Sequence, residues 1–155
     1  MKKLEYQKVI IVEDNTVKYF FGEYFFLSNF YVTFFKIEGI TYSSVEHYFQ
    51  SSKVLAKEDR FKITSAFTPG EAKLLGRRCN LRKDWEEVKI AVMTEGVFAK
   101  FAQNKDLKEK LLKTGDMVLE EGNDWRDEFW GVVDGRGENH LGKILMGVRE
   151  ILKIK

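Results

Sequence analysis

Ser43-Ser44-Val45-Glu46-His47-Tyr48-Phe49-Gln50-Ser51-Ser52-Lys53 is where this chain changes its period. Before it, short runs of β-branched and aromatic residues read as strands: Val9 to Val12 and Val17 to Phe21 about the Asp14-Asn15 turn signal, then Phe30 to Ile37 and Ile40 to Tyr42 about Glu38-Gly39. After it, helical spacing takes over. The quoted stretch predicts a helix from about Ser43 to Leu55, with Glu46, Gln50 and Lys53 at i, i+4 and i+7, hence on one face.

Thr68-Pro69-Gly70-Glu71 is a second helix start, with threonine as N-cap, proline at the first helical position and glutamate three residues past the cap. Leu74 and Leu75 are its expected buried face. From Lys83 to about Gln103 the apolar residues spread over more than one face, as in a central helix. A short helix near Leu107 to Leu112 and a strand at Met117 to Leu119 follow. Leu141, Ile144, Leu145, Val148 and Leu152 then recur with the spacing of an amphipathic final helix. Strands gathered early and helices late indicate the α+β class: a small mixed β-sheet surrounded by several α-helices.

A length of 155 residues fits a single domain spanning 1–155, and one proline with no linker-like stretch gives no reason to divide it. Lys and Arg total 26 against 24 Asp and Glu, which argues against a DNA-coating surface and leaves room for a local basic pocket. Cys79 has no partner for an intramolecular disulfide, so a reducing, cytoplasmic setting is expected. Arg77, Arg78 and Arg82 around it would favour a thiolate, but no catalytic thiol motif surrounds it. Lys2 and Lys3 precede an apolar run too short for a signal segment or a membrane span.

Two readings of Glu46 stand side by side on spacing alone. Ser43 and Glu46 form S-x-x-E, a capping box in which Glu46 accepts from the backbone N–H of Ser43, and the helix dipole favours an acid there in any case. A cap does not account for Gln50 and Lys53 continuing the polar face; a solvated face or an active-site stripe does. The second constellation is Asp134-Gly135-Arg136-Gly137-Glu138-Asn139-His140-Leu141-Gly142, whose glycines admit a ligand close to the backbone and which leads into a helix N-terminus able to bind an anion. Equally, such a segment is simply a turn; it fits neither the Walker nor the Rossmann pattern. Trp130-Gly131 precedes it, where an indole could stack on a base, while Trp85 reads as a core anchor or the wall of a basic pocket. His47 and His140 lack zinc-binding spacing and no serine sits in a nucleophile elbow, so no metal site and no serine triad are expected.

Taken in order, Leu27-Ser28-Asn29-Phe30, Glu46-His47-Tyr48-Phe49-Gln50 with Lys53, Leu81-Arg82-Lys83-Asp84-Trp85, and Trp130-Gly131 with Gly135 to Gly142 and Met146 to Glu150 resemble the NADAR family, also called YbiA-like. The resemblance runs from about Tyr19 to Leu152. It implies a YbiA-like α+β fold and cleavage of N-glycosidic bonds to ribose, on either ADP-ribose attached to guanine, in nucleotide or nucleic acid, or phosphorylated ribosylamino-pyrimidine intermediates of riboflavin synthesis. No cofactor and no obligate protein partner are implied.

By the same resemblance Glu46 is the catalytic glutamate and Lys53 the lysine of an E-H-Y-F-Q-x-x-K motif. Either Glu46 serves as base or stabilises an oxocarbenium-like transition state, or Lys53 attacks the anomeric carbon and forms a Schiff base while Glu46 moves protons. Asp134 is the expected partner acid or ribose ligand, Asn139 a ribose or phosphate contact, and Trp85 and Trp130 walls for the base. Arg82 and Arg77 are expected at phosphate, with Ser28, Asn29 and Gln50 shaping the pocket. A non-catalytic ADP-ribose or nucleotide-binding module would use Arg82, Trp130 and the glycine loop without needing Glu46. A nucleic-acid binder acting through its lysines is the weakest reading, given the balanced charge.

Overall fold

Asp14 and Asn15, at φ 50° and 55°, both take the left-handed conformation that a two-residue hairpin demands, and they join β1 (Val12–Glu13) to β2 (Thr16–Val17). The coordinates are a computed structural model in which residues 9–154 are described. Lys2 and Lys3, weighed above for a leader, lie outside the described residues, as do the ends of the 1–155 span. Glu38 and Gly39, at φ 50° and 79°, make the same kind of turn between β3 (Phe35–Ile37) and β4 (Ile40–Tyr42).

The α+β class holds, with the β part divided, among the described residues, into two small sheets. One has the order β1-β2-β5, with β5 (Val118–Leu119) added parallel to β2, and the other is the β3-β4 hairpin. The strands are shorter than expected. Of the run from Val17 to Phe21 only Val17 is in a strand, because Gly22, at φ 57°, turns the chain into a 3₁₀ helix over Gly22–Leu27 that buries Phe26 and Leu27.

Among the described residues six α-helices surround these sheets: α1 (Val45–Ser51), α2 (Lys57–Thr64), α3 (Pro69–Arg78), α4 (Trp85–Gln103), α5 (Lys105–Lys113) and α6 (His140–Ile154). Helix α2 had no counterpart in the sequence reading, since its one buried residue, Ile63, leaves no apolar stripe to recognise. Helix α3 starts as expected, with Thr68 Oγ1 accepting from Glu71 N and Pro69 inside the first turn. Of the expected Leu74-Leu75 face, Leu75 packs against the cluster of Val54, Ile63, Ala66 and Ala72, while Leu74 is exposed and Ala72 and Gly76 are turned inward. Helix α4 crosses the centre, burying Trp85, Met93, Val97 and Phe101, and α6 lays Leu141, Leu145, Val148 and Leu152 against the same core.

Lys100 of α4 is an unusual member of that core, 1% exposed, with Nζ donating to Ser28 O at 2.9 Å and lying 5.5 Å from the Tyr31 ring centre. Burial pulls its ammonium down to about 7, so between that value and the ordinary 10.5 the unfolded chain binds the extra proton. Stability therefore rises as pH increases through this window. We expect thermal unfolding midpoints from pH 7 to 10 to climb in the native chain relative to Lys100→Met, and parallel profiles would count against the burial cost.

Candidate active site

Every residue of α1 is buried, although four of its seven side chains are polar or charged. Each of these has a reason to be there. Ser44 is the N-cap, its Oγ accepting from His47 N at 3.1 Å. The same hydroxyl lies 2.7 Å from His47 Nδ1, and His47 Nε2 is 2.9 Å from Ala66 O, a carbonyl that can only accept, so both ring nitrogens are held in place. Ser51 and Ser52 return their hydroxyls to Tyr48 O.

This cap corrects the expected capping box. Ser44, one residue later than Ser43, caps the helix, which leaves Glu46 in its first turn with its carboxylate free of the cap. Glu46 Oε1 instead accepts from Gln50 Nε2 at 2.7 Å, and Glu46 N is tied to Asn29 O. The helix also ends at Ser51, short of the expected Leu55, so Lys53 sits in the turn beyond it. That turn is pinned from outside by Arg82 N donating to Lys53 O at 2.8 Å.

Glu46, Gln50 and Lys53 nonetheless face one space, a cleft of about 700 Å³ that also receives Ser28, Asn29 and Met93. Phe20, Phe21, Phe25, Phe30, Trp125 and Trp130 supply its aromatic walls, and Lys73, Arg77 and Arg126 add cations. Phe49 stands edge-on to both Trp85 and Trp130, with ring centres at 5.0 and 5.4 Å, and Lys53 Nζ rests 5.3 Å from the Phe49 ring centre. Burial lifts the Glu46 carboxyl above its ordinary value, against the pull of Gln50 and of Lys73, Lys53 and Arg77. Burial likewise lowers Lys53, opposed by Glu46 and aided by Arg77 and Lys73. The first shift makes the Glu46 carboxylate a stronger proton acceptor and the second raises the free-amine fraction of Lys53.

Gly76 of α3 is where this arrangement is most easily tested. A Cβ there would fall 2.1 Å from Gln50 Oε1 and 2.9 Å from Gln50 Cδ, with the root of the same side chain, Gln50 Cβ, at 3.1 Å. Gly76→Ala, the smallest side chain that meets Gln50, should therefore push the Gln50 amide off Glu46 and reduce kcat by about tenfold or more, with the thermal unfolding midpoint read alongside to show that the chain is folded; an unchanged kcat would remove Gln50 as the group that orients Glu46.

Residues 18–153 match the NADAR domain. This chain belongs to the NADAR family. A protein of Nostoc punctiforme named N-glycosidase Npun_R5314 is 44% identical over 133 residues, covering 81% of this chain and 84% of that one. The protein named N-glycosidase YbiA of Escherichia coli is 37% identical over 155 residues, 96% of each chain. The NMR structure of E. coli YbiA superposes with a TM-score of 0.82 at 38% identity, covering 92% of this chain and 88% of that one. A Vibrio vulnificus protein named Riboflavin biosynthesis protein VVA0006 is 40% identical over 131 residues, which is 83% of this chain and 35% of that larger protein.

Within this NADAR fold, seven of the residues singled out in the sequence line the cleft: Ser28, Asn29, Glu46, Gln50, Lys53, Arg77 and Trp130. Four do not. Trp85 is only 5% exposed and forms the backing of Phe49. Arg82 makes a two-pronged ion pair with Asp84, at 2.6 and 2.9 Å. Asn139 is buried, Oδ1 accepting from Glu121 N and Nδ2 donating to Leu119 O, so it joins the glycine loop to the end of β5. Asp134, at φ 48°, is at the exposed tip of a tight turn closed by Val133 and Arg136, and it lines a separate hollow with Lys18, Tyr19 and Glu120.

The glycine segment is thus a turn, and the N-terminus of α6 is not open to an anion. His140 N donates to Phe129 O and Leu141 N to Trp130 O, so these donors already have backbone partners. Cys79 packs beside a small cluster of Val54, Ile63, Ala66 and Ala72 rather than in the cleft. Lys73, Glu121, Trp125, Arg126 and Asp127 line the cleft without having been singled out for it. Lys73 had a signal: with Ala72 and Gly76 inward at i and i+4, Lys73 and Arg77 must form the adjoining row. The others lie on an irregular loop with no period to read.

Proposed function

We propose that this cleft hydrolyses the bond between the anomeric carbon of a phosphorylated ribose and a base nitrogen, and that its substrate is guanine carrying ADP-ribose, in nucleotide or nucleic acid. The coarser statement, that the chain is a hydrolase acting on N-glycosyl bonds, stands on family membership and on relatives named N-glycosidase along nearly the whole chain. The observation that carries the finer reading is the buried Glu46, held by Gln50, at the floor of a cleft with Lys53 beside it and more cations than one phosphate needs. Lys73, Arg77 and Arg126 would meet a diphosphate, and the exposed Trp125 with Trp130 and Phe21 would hold rings on either side of it.

In the mechanism this supports, the uncharged Lys53 amine attacks the anomeric carbon as the base departs, the ribose opens to a Schiff base on Lys53, and water releases it while Glu46 relays protons. Attack by water on the anomeric carbon, with Glu46 as its base, is the alternative route. A second substrate reading has its own support: the match to a riboflavin biosynthesis protein favours phosphorylated ribosylamino-pyrimidines, which share the ribose-to-amine linkage. Mass spectrometry of products from the two substrate classes, side by side, separates these readings. No helix among the described residues is long and apolar enough to cross a membrane, and with Cys79 unpaired the proposal places the reaction in the cytoplasm.

A further inference from the structure

The reaction needs a group to protonate the departing nitrogen, and the acid expected for this, Asp134, lies in another hollow. We propose that Glu121 is the acid that delivers this proton, a role that rests on the cleft being an N-glycoside hydrolase site. Glu121 follows β5 at the first turn of the irregular loop, and its backbone is fixed by Asn139 Oδ1 accepting from its N–H at 3.0 Å. Its Oε2 accepts from Asn123 Nδ2 at 3.1 Å, and Asn123 is itself locked between the N–H and carbonyl of Asp127. Gly131 completes the seat: a Cβ there would fall 1.9 Å from Oε2, so only glycine lets the carboxyl lie where it does. The side chain lines the same cleft as Glu46.

The surroundings divide the work between the two carboxyls. Glu121 is lifted to about 8, chiefly by burial and with help from Asp127 and Glu46, against the opposing pull of Asn123 and Lys73. Lys73, Lys53 and Arg77 all favour the Glu46 anion, whereas Glu121 has Lys73 alone on that side and Asp127 and Glu46 against it, so the surrounding charges suit Glu46 to accept a proton and Glu121 to give one. As the bond from the anomeric carbon to nitrogen breaks, its electron pair stays on nitrogen and takes the Glu121 proton. Glu121 is left as carboxylate. The proton of the attacking water or of the Lys53 amine goes to Glu46 and returns to Glu121 before the next turnover, so the net reaction consumes one water.

The test compares native chain and Glu121→Gln on two ribosides: one with a heterocyclic amine as leaving group, the other a nitrophenyl riboside 5-phosphate, whose phenolate departs without protonation. Glu121→Gln should lose about a hundredfold or more in kcat on the amine and less than about threefold on the nitrophenyl compound, which also shows that the variant folds. In the native chain kcat on the amine should fall as pH rises above about 8, and that limb should vanish in the variant. The pH profile alone decides if the nitrophenyl compound is not turned over. Equal losses on both ribosides, or an unaltered alkaline limb, overturn the role of Glu121 while leaving the hydrolase reading intact. A native chain that turns over neither riboside overturns the hydrolase reading itself.

Discussion

Glu46→Gln should abolish base release, lowering kcat by about a thousandfold or more, while the thermal unfolding midpoint stays within a few degrees of the native value. The replacement keeps the shape. Its side-chain oxygen can still accept from Gln50 Nε2, so the contact that orients residue 46 survives and only the capacity to exchange a proton is removed. Proton transfer by one positioned side chain is worth about 10²–10⁴ in rate, which sets the scale of the loss. Stability should not suffer, because a neutral amide in a site that is 6% exposed avoids the desolvation that lifts the Glu46 carboxyl. The capping role gives the opposite pattern. A residue that only stabilised the helix start would, when changed, shift the melting midpoint and spare turnover.

Lys53→Ala should be as severe, and Lys53→Arg should not restore activity. A guanidinium keeps the positive charge but stays protonated, so it could still meet phosphate yet cannot attack carbon. Recovery in Lys53→Arg would therefore assign Lys53 to phosphate binding and move the chemistry to the Glu46 and water route. Borohydride added during turnover separates these further: the covalent route leaves a reduced ribose adduct on Lys53 in the native chain and none in either variant. Absence of the adduct in a native chain that is turning over would remove the Schiff base. The lowered Lys53 ammonium supports the covalent route because its free-amine fraction at neutral pH exceeds that of an exposed lysine.

The elements with strong local signals were legible in the sequence. Asp14-Asn15 and Glu38-Gly39 are turns because two consecutive residues at positive φ are what such hairpins require, and Thr68-Pro69 starts a helix because its cap chemistry is local. Helix α2 was not legible. It has a single buried residue and no side-chain cap, so neither period nor punctuation marks it. In the site, the spacing that put Glu46 and Gln50 together succeeded because an i, i+4 pair is fixed by the helix itself. Lys53 reached the cleft for a different reason from the one expected, since α1 ends before it and the Arg82 backbone holds its turn.

The residues that sequence reading expected at the cleft and that do not line it share a cause. Trp85, Arg82, Asn139 and Asp134 are of types that bind ligands, but each already has a task in holding the fold: core packing, an ion pair, a splice to β5 and a turn tip. Glu121 and Asp127 were overlooked for the converse reason. Their positions depend on Asn123 and Gly131 folding an irregular loop back on itself, a tertiary arrangement with no sequence period.

The central claim is that Glu46 and Lys53 make this cleft a hydrolase of ribose-to-base bonds, and product analysis by mass spectrometry tests it most directly. Native chain, Glu46→Gln and Lys53→Ala are each incubated with ADP-ribosylated guanine and with the phosphorylated ribosylamino-pyrimidine. The native chain should yield unmodified guanine and ADP-ribose, with the pyrimidine substrate cut more slowly, and neither variant should yield products above the uncatalysed rate. Saturable binding of both compounds by the native chain, with no product over prolonged incubation, would contradict it and leave a nucleotide-binding module in place of an enzyme.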